Sequence, residues 1–269
     1  MSLPCGRCIG CRADRSRDWQ VRLSHEHKQH FESAFLTLTV DDDHREPDRG
    51  LHVEHLQKFV KRYRARRPGE NFRYFAVGEY GEYSFREHYH MLAFGIRVED
   101  RRPVPGKPGQ FTSEFVDEVW GLGHCYGGSV TPESIAYCSQ YVLDKRTGPL
   151  AEAHYSWTDP DSGEVFQRRP EFAVMSRNPA IGRVAYERWG DELYRGDFVA
   201  QRDGGKAPVP AYYDKLLTRD DPEYMETIKL ARLERAADPQ AVANSTPERL
   251  AVREEVARAR RKTFRRSSL

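Results

Sequence analysis

The sequence predicts an α+β fold, a central and mainly antiparallel sheet with helices packed against it. Three observations predict it. Two strand-like runs, 73–77 and 88–94, follow one another across a short turn, so they pair antiparallel. Amphipathic helical runs stand at 51–67 and from 131 onward. The order strand, helix, strand, strand, helix, strand, helix lacks the alternation of a parallel βαβ sheet.

Taken in chain order, residues 1–30 begin with cysteines and become helical around 15–30. Phe35-Leu36-Thr37-Leu38-Thr39-Val40 alternates apolar residues with threonine, the period of a half-buried strand, and Asp41, Asp42 and Asp43 end it. In 51–67, Val53, Leu56, Phe59, Val60 and Tyr63 fall on one side of a helix that Pro68-Gly69 stops. Residues 73–77 are aromatic and β-branched, and 78–86 form a loop or hairpin turn. In the strand 88–94, His88, His90, Leu92 and Phe94 share one face, and Tyr89, Met91 and Ala93 the other. Residues 101–110 hold three prolines and two glycines and read as a surface loop; 113–120 is a helix and 127–130 a short strand. Thr131-Pro132 places a capping hydroxyl before a proline at the first helical position, and the helix should run to about 145. The helices are expected on one side of the sheet.

After Gly148 the signals weaken. Asp159-Pro160-Asp161-Ser162-Gly163 is a turn between short strands, and 186–189 fits a helix. Residues 222–236 and 247–262 are charged, helix-prone and weakly amphipathic. The expected organisation is a cysteine-containing N-terminal segment and helix at 1–30, a core at 31–148, an extension packed on it at 149–215, and a charged helical, partly mobile tail at 216–269.

With 38% hydrophobic and 31% charged residues among 269, the core is modest and the surface polar. No apolar run approaches the ~20 residues that cross a bilayer, and the first residues lack the apolar stretch of a secretory signal. A soluble cytoplasmic protein with no membrane partner is expected. Five cysteines, an odd count, argue against a disulfide framework. The 43 basic and 41 acidic residues give a net charge of +2, which by itself predicts no nucleic-acid partner. Their distribution is more informative. Lys58, Lys61, Arg62, Arg64, Arg66 and Arg67 form a run with no acid inside it, and the tail carries Arg258, Arg260, Arg261, Lys262, Arg265 and Arg266. Such clusters neutralise phosphates, or they are merely a solvated helix face and tail.

His88-Tyr89-His90 presents two imidazoles on one face of a strand, where both reach one divalent ion. Glu79, at the end of the neighbouring strand, is the third candidate ligand, because hairpin pairing brings it alongside His88 or His90. Glu82 and Glu87 are alternatives, although Glu87 points to the wrong face if strand alternation already holds there. Tyr137 and Tyr141 lie within about 40° of each other on a helix, with Lys145 about 40° further on. Ile135, Cys138 and Val142 centre roughly 110° away and can bury while the phenols face a groove. Paired phenols beside a metal site suggest an enzyme that cuts and rejoins a nucleic-acid strand through a phosphotyrosine link, with Lys145 stabilising developing charge. The bland reading is tyrosines at the polar edge of a core stripe and hydrogen-bonded strand histidines. Cys5, Cys8 and Cys11 form C-x2-C-x2-C, a candidate structural metal site for zinc or an iron–sulfur cluster given a fourth ligand such as Cys125, His124 or His25.

These pieces occur in a familiar order. Pro4-Cys5-Gly6-x-Cys8-x-Gly10-Cys11-Arg12 is followed by Ser16-Arg17-x-Trp19, Phe35-Leu36-Thr37-Leu38-Thr39 and Gly78-Glu79-Tyr80-Gly81. Then come His88-Tyr89-His90, Glu133-Ser134-x-Ala136-Tyr137, Tyr141-Val142, Pro170-Glu171-Phe172, Met175-Ser176-Arg177 and Tyr212-Tyr213-Asp214. The chain resembles, over most of 4–215, the replication initiation proteins of gokushovirus-type microviruses, members of the HUH endonuclease superfamily. The resemblance implies that Phe35 to Thr39 is the first replication motif, that His88 and His90 with Glu79 bind Mg or Mn, and that Tyr137 and Tyr141 are paired nucleophiles. Gln140 and Asp144 depart from the basic residue the family carries three places after each tyrosine, which bears on the role of Lys145. The implied activity is rolling-circle initiation. One tyrosine nicks single-stranded or melted origin DNA and keeps its 5′ end as an ester, the freed 3′ hydroxyl primes a host polymerase, and the second tyrosine later allows rejoining in the host cell cytoplasm. The origin strand would pass the basic helix at 58–67. No G-x-x-x-x-G-K-[ST] loop is present, so unwinding falls to a helicase partner. A plasmid-mobilisation relaxase, a non-catalytic nucleic-acid-binding module and a metal-dependent hydrolase of small phosphoesters are the rival readings.

Overall fold

A computed structural model describes residues 5–6, 8–82, 84–141, 151–201 and 204–266. Two compact units are formed, one from Arg22–Ala185 and the other from the described residues up to Val21 together with those from Tyr186 onward. The segment 149–215 thus contributes to both.

The helix α1 (Ile9–His27) ends within the larger unit. The elements β1 (Ser33–Thr39), α2 (Val53–Arg66), β2 (Arg73–Tyr80) and β3 (Glu87–Phe94) follow, then β4 (Arg102–Pro103), β5 (Phe111–Thr112), α3 (Glu114–Trp120), β6 (Cys125–Gly128) and α4 (Pro132–Tyr141). A short helix α5 (Ala151–Tyr155), a separate hairpin of β7 (Ser156–Thr158) and β8 (Val165–Gln167), and β9 (Phe172–Met175) complete the unit. Seven strands make one sheet in the order β4-β5-β6-β1-β3-β2-β9, with every neighbouring pair antiparallel. The α+β reading of the sequence therefore holds.

The sheet's two faces differ. On one, Leu36, Leu38, Ala76, Tyr89, Met91 and Ala93 meet Leu56, Phe59, Val60 and Tyr63 of α2 and Trp120 of α3 in a continuous apolar core. Burying each large side chain there contributes roughly 1.5–3 kcal/mol. Gly78 pairs with Tyr89 across the strands, and a Cβ at Gly78 would meet the Phe172 ring at 3.1 Å and Leu51 at 3.2 Å, so the position must stay bare. Helix α3 starts at Ser113, whose hydroxyl accepts from Val116 N, and stops at Gly121, whose φ of 63° is the left-handed conformation that glycine adopts without strain.

The other face carries α4, which packs over β2 and β3. The expectation that all helices share one side is thus corrected, because β2 and β3 bury nearly every residue on both faces and must be covered twice. Three boundaries also move. The strand β2 runs on to Tyr80, which puts Glu79 inside it; β6 begins at Cys125; and an edge strand forms at Arg102–Pro103 within the loop segment, where proline costs no ladder bond.

In the other unit, α6 (Arg183–Gly196), β10 (Val199–Ala200), β11 (Lys206–Ala207), α7 (Ala211–Asp220), α8 (Pro222–Ala237), α9 (Pro239–Ala243) and α10 (Pro247–Arg266) follow in order. Tyr186, Tyr194, Tyr213, Leu216, Leu217, Met225 and Ile228 form its core. Arg232 joins Asp197 at 2.6 Å and Asp214 at 2.7 Å, and the Tyr194 hydroxyl donates to Asp214 at 2.8 Å. Asp221-Pro222 and Asp238-Pro239 begin their helices with a carboxylate cap and a first-turn proline. The expected peripheral helices are α8 and α10. Among the described residues no helix is long and apolar enough to cross a membrane.

Candidate active site

The antiparallel register sets Glu79 of β2 directly across from His88 of β3 and Val77 across from His90, so Glu79, His88 and His90 project from one face. On the far side of β3, β1 places Thr37 opposite His90. Both imidazole Nε2 atoms converge on Glu79 Oε1, at 2.5 Å from His88 and 3.0 Å from His90.

The outer nitrogens are held as well. His88 Nδ1 donates to the Arg86 carbonyl at 3.2 Å; a carbonyl only accepts, so the neutral ring presents its Nε2 lone pair inward. His90 Nδ1 lies 3.0 Å from Thr37 Oγ1, and Phe35 stacks on the His90 ring at 5.4 Å. Glu79 is 4% exposed, and its Oε2 has no hydrogen-bond partner among the described residues. Burial pushes the Glu79 carboxyl up, but the hydrogen bonds from His88 and His90 outweigh it and the group lies below the usual carboxylate range. At His88 burial is outweighed by the Glu79 carboxylate, which raises the imidazole, whereas at His90 burial wins and lowers it. The buried Cys138 thiol beneath is pushed well up by burial and then by the Glu79 charge.

Two neutral nitrogens, a carboxylate and an orphaned carboxylate oxygen on one point fit a divalent cation, and these three residues cluster at ligand spacing. Helix α4 delivers Tyr137 to the same point. Its hydroxyl donates to Glu79 Oε1 at 3.2 Å and lies 3.4 Å from His90 Nε2, with the two rings edge to face at 5.0 Å. Ile135 and Cys138, on the neighbouring stripe, are buried. Thr131 and Ser134 cap each other's backbone at the helix start, which fixes its entry. Tyr141 is the last residue of α4; its side chain, Val142, Asp144 and Lys145 lie outside the described residues.

The remaining candidates are placed elsewhere. Glu82 is exposed on the 81–86 turn, and Glu87 faces the opposite side of the sheet, bound to Arg45 through both oxygens at 2.9 and 2.7 Å. Helix α2 also packs on that opposite face. Lys58, Lys61 and Arg64 are exposed there, Arg66 pairs with Glu118 at 2.6 Å, Arg67 pairs with Glu99 at 3.0 Å, and Arg62 donates to the Trp120 carbonyl. The side chains of Arg261, Lys262, Arg265 and Arg266 lie outside the described residues. Cys5, Cys8 and Cys11 gather into one cluster. Cys125 is buried in the sheet's core and His25 is buried in α1, while His124 lends its carbonyl to Thr39.

Arg168 was not singled out by its sequence context. It is 7% exposed, with its guanidinium 5.3 Å over Trp157 and 5.8 Å over Tyr80, and it makes no ion pair or side-chain hydrogen bond among the described residues. Arg49 lies over the same indole at 5.9 Å. Nothing in Gln167-Arg168-Arg169 foretells this, because the rings that enclose Arg168 come from β2 and β7.

The comparison with known proteins follows this geometry. The family described as replication-associated protein ORF2 matches residues 33–146, the stretch from β1 through α4. Replication-associated protein ORF2 of Spiroplasma virus 4 is 31% identical over 247 residues, covering 86% of this chain and 73% of that protein. The chain belongs to this family of phage replication-associated proteins. Another family member, replication-associated protein VP4 of Bdellovibrio phage phiMH2K, is 29% identical over 231 residues, with 82% of this chain and 69% of that one covered. Replication-associated protein ORF4 of Chlamydia phage 1 is 31% identical over 153 residues, 53% of this chain and 38% of that one. No solved structure matches the chain. The resemblance read from the motifs is to this microvirus-type family, and its matched segment contains Glu79, both histidines and Tyr137.

Proposed function

We propose that this replication-associated protein is a rolling-circle initiator of the HUH type, a metal-dependent endonuclease and strand transferase acting on single-stranded or melted phage origin DNA. The observation that supports the reading is the Tyr137 hydroxyl held 3.2 Å from Glu79 and 3.4 Å from His90, inside the donor set that fits a divalent cation. Glu79, His88 and His90 would hold Mg or Mn, which, when bound, neutralises charge on the scissile phosphate and polarises it. The remaining work falls to the protein. Glu79 accepts from the Tyr137 hydroxyl and orients the phenol, and an ordinary phenol, ionising near ~10, needs such help at neutral pH. Thr37 and Arg86 fix the imidazoles.

The phenolic oxygen forms a bond to phosphorus as the bond to the 3′ oxygen breaks, and that oxygen takes up a proton. The 5′ phosphate stays on the tyrosine. Reversal, with a 3′ hydroxyl attacking the ester, rejoins the strand without a nucleotide cofactor. Tyr141 is the proposed second nucleophile, and Lys145 the proposed stabiliser of charge at the attacked phosphate. Priming by a host polymerase, unwinding by a host helicase and action in the host cytoplasm follow from the same reading. The basic run on α2 lies on the face away from the histidines, so it would meet a strand only at a distance from the cut. Arg168 and Trp157, beside Tyr80 at the end of β2, offer a nearer cation and stacking surface for it.

The test is a labelled single-stranded origin oligonucleotide incubated with protein and Mn or Mg. A protein–DNA adduct that survives denaturing electrophoresis is expected, and it should vanish in Tyr137→Phe/Tyr141→Phe. An undiminished adduct in that variant overturns the nucleophile assignment. Binding without cleavage favours the non-catalytic module. Plasmid transfer-origin cleavage in preference to phage origin favours the relaxase.

A further inference from the structure

We infer that Cys5, Cys8 and Cys11 bind a single zinc ion through three thiolates, with the fourth position open to water. Sequence spacing leaves zinc and an iron–sulfur cluster equally open. The geometry separates them. The three Sγ atoms all lie within 4.8 Å of one another, and Cys5 Sγ is 4.0 Å from Cys11 Sγ. A tetrahedral zinc with bonds of ~2.3 Å sets its sulfurs ~3.8 Å apart, so the thiols already stand near the spacing one ion needs. In an iron–sulfur cube each thiolate sits on a different iron, and the sulfurs spread wider.

The backbone around the sulfurs is arranged for thiolates. Cys8 N–H donates to Cys5 Sγ at 3.2 Å and Cys11 N–H to Cys8 Sγ at 3.5 Å, so each donor serves the sulfur three residues earlier. The turn between Cys5 and Cys8 passes through Gly6 at φ +72°, and the Arg15 guanidinium lies 3.9 Å from where a Cβ would stand on Gly6. Amide donors and a nearby cation both favour the deprotonated sulfur. Cys8 immediately precedes α1 and Cys11 lies in its first turn, so one ion would tie the preceding residues to the helix. Among the described residues no histidine, aspartate, glutamate or further cysteine joins the cluster, and Cys5 and Cys8 are exposed, which leaves the fourth position to solvent. Three protons leave as the ion binds, and the site carries one net negative charge.

Elemental analysis of the full chain, purified under reducing conditions, should find zinc at one per chain. His88→Ala/His90→Ala should keep it and Cys5→Ser/Cys8→Ser/Cys11→Ser should lose it, which separates this site from the one on the sheet. Cobalt(II) added to the stripped wild-type protein should give strong sulfur-to-metal absorption and the visible bands of a tetrahedral ion. That titration also decides the matter if the serine variant does not fold. Zinc retained by the serine variant overturns the inference. So do iron with acid-labile sulfide, a Cys5–Cys11 disulfide in reduced protein, or the lack of thiolate–cobalt absorption. None of these outcomes bears on DNA cleavage, so the two readings stand or fall separately.

Discussion

Tyr89 sits between His88 and His90 in the chain and on the opposite face of the sheet. The histidines meet Glu79 and Tyr137, with polar atoms converging on one point. Tyr89 is fully buried against α2, α3 and β9, and its hydroxyl accepts from His52 N at 2.9 Å and lies 3.0 Å from His55 Nδ1. One face of β3 therefore holds the fold together and the other assembles the candidate chemistry. The pleat makes the division possible, because neighbouring residues project into different surroundings and can be optimised separately. Damage to the two faces should then be separable.

The largest effect that tests the separation is a contrast of two substitutions. Tyr89→Ala should cost about 3–5 kcal/mol of stability, since it leaves a large cavity and strips His52 N of its acceptor. His88→Ala, at a side chain 21% exposed, should melt close to the wild type yet lose at least about 100-fold in metal-dependent cleavage. Thermal melts and single-turnover cleavage read the two quantities, and a His88→Ala protein that unfolds early while cutting normally would break the comparison.

A pH series sharpens it from outside the site. Burial, and secondarily Lys28, hold His25 of α1 down to about 4 from its ordinary value. The folded chain keeps this imidazole neutral while the unfolded chain protonates it near ~6.5, so stability is full above that pH, falls as pH drops toward 4, and levels off below. The loss at the acid end is about 3 kcal/mol. His25→Phe should flatten that part of the melting-temperature profile, and a profile unchanged by the substitution counts against the assignment. The smallest expected effects concern DNA contact. Trp157→Ala should weaken binding of a single-stranded oligonucleotide by roughly tenfold, whereas Lys58→Ala/Lys61→Ala on the far face should change it by less than about threefold. Fluorescence anisotropy at fixed salt measures both, and the reverse ranking would return the strand's path to α2.

Much of the larger unit was legible in the chain because its signals are local. Phe35 to Val40 shows the half-buried period, and β1 buries Ala34, Leu36 and Leu38 accordingly. The apolar stripe on α2 packs as its spacing implies, and Ser113, Gly121 and Thr131 mark helix ends through their own chemistry. Glu79 was harder to place, because the run at 73–77 ends before it and only the antiparallel register with His88 draws it into β2. The side on which helices pack was not legible at all. A strand buried on both faces does not say which helix covers which.

The residue types and their order determined the α+β class, the pairing of β2 with β3, the parity that puts both histidines on one face, and the family. These follow from periods of two and 3.6 residues and from short-range pairing, which a sequence carries in full. Only the tertiary structure decided that Tyr137 comes within 3.2 Å of Glu79, that α2 turns its basic run away from that point, and that Arg168 is enclosed by two aromatic rings with no anion among the described residues. Such contacts join residues dozens of positions apart, and their distances depend on how whole elements pack rather than on any local preference of the chain.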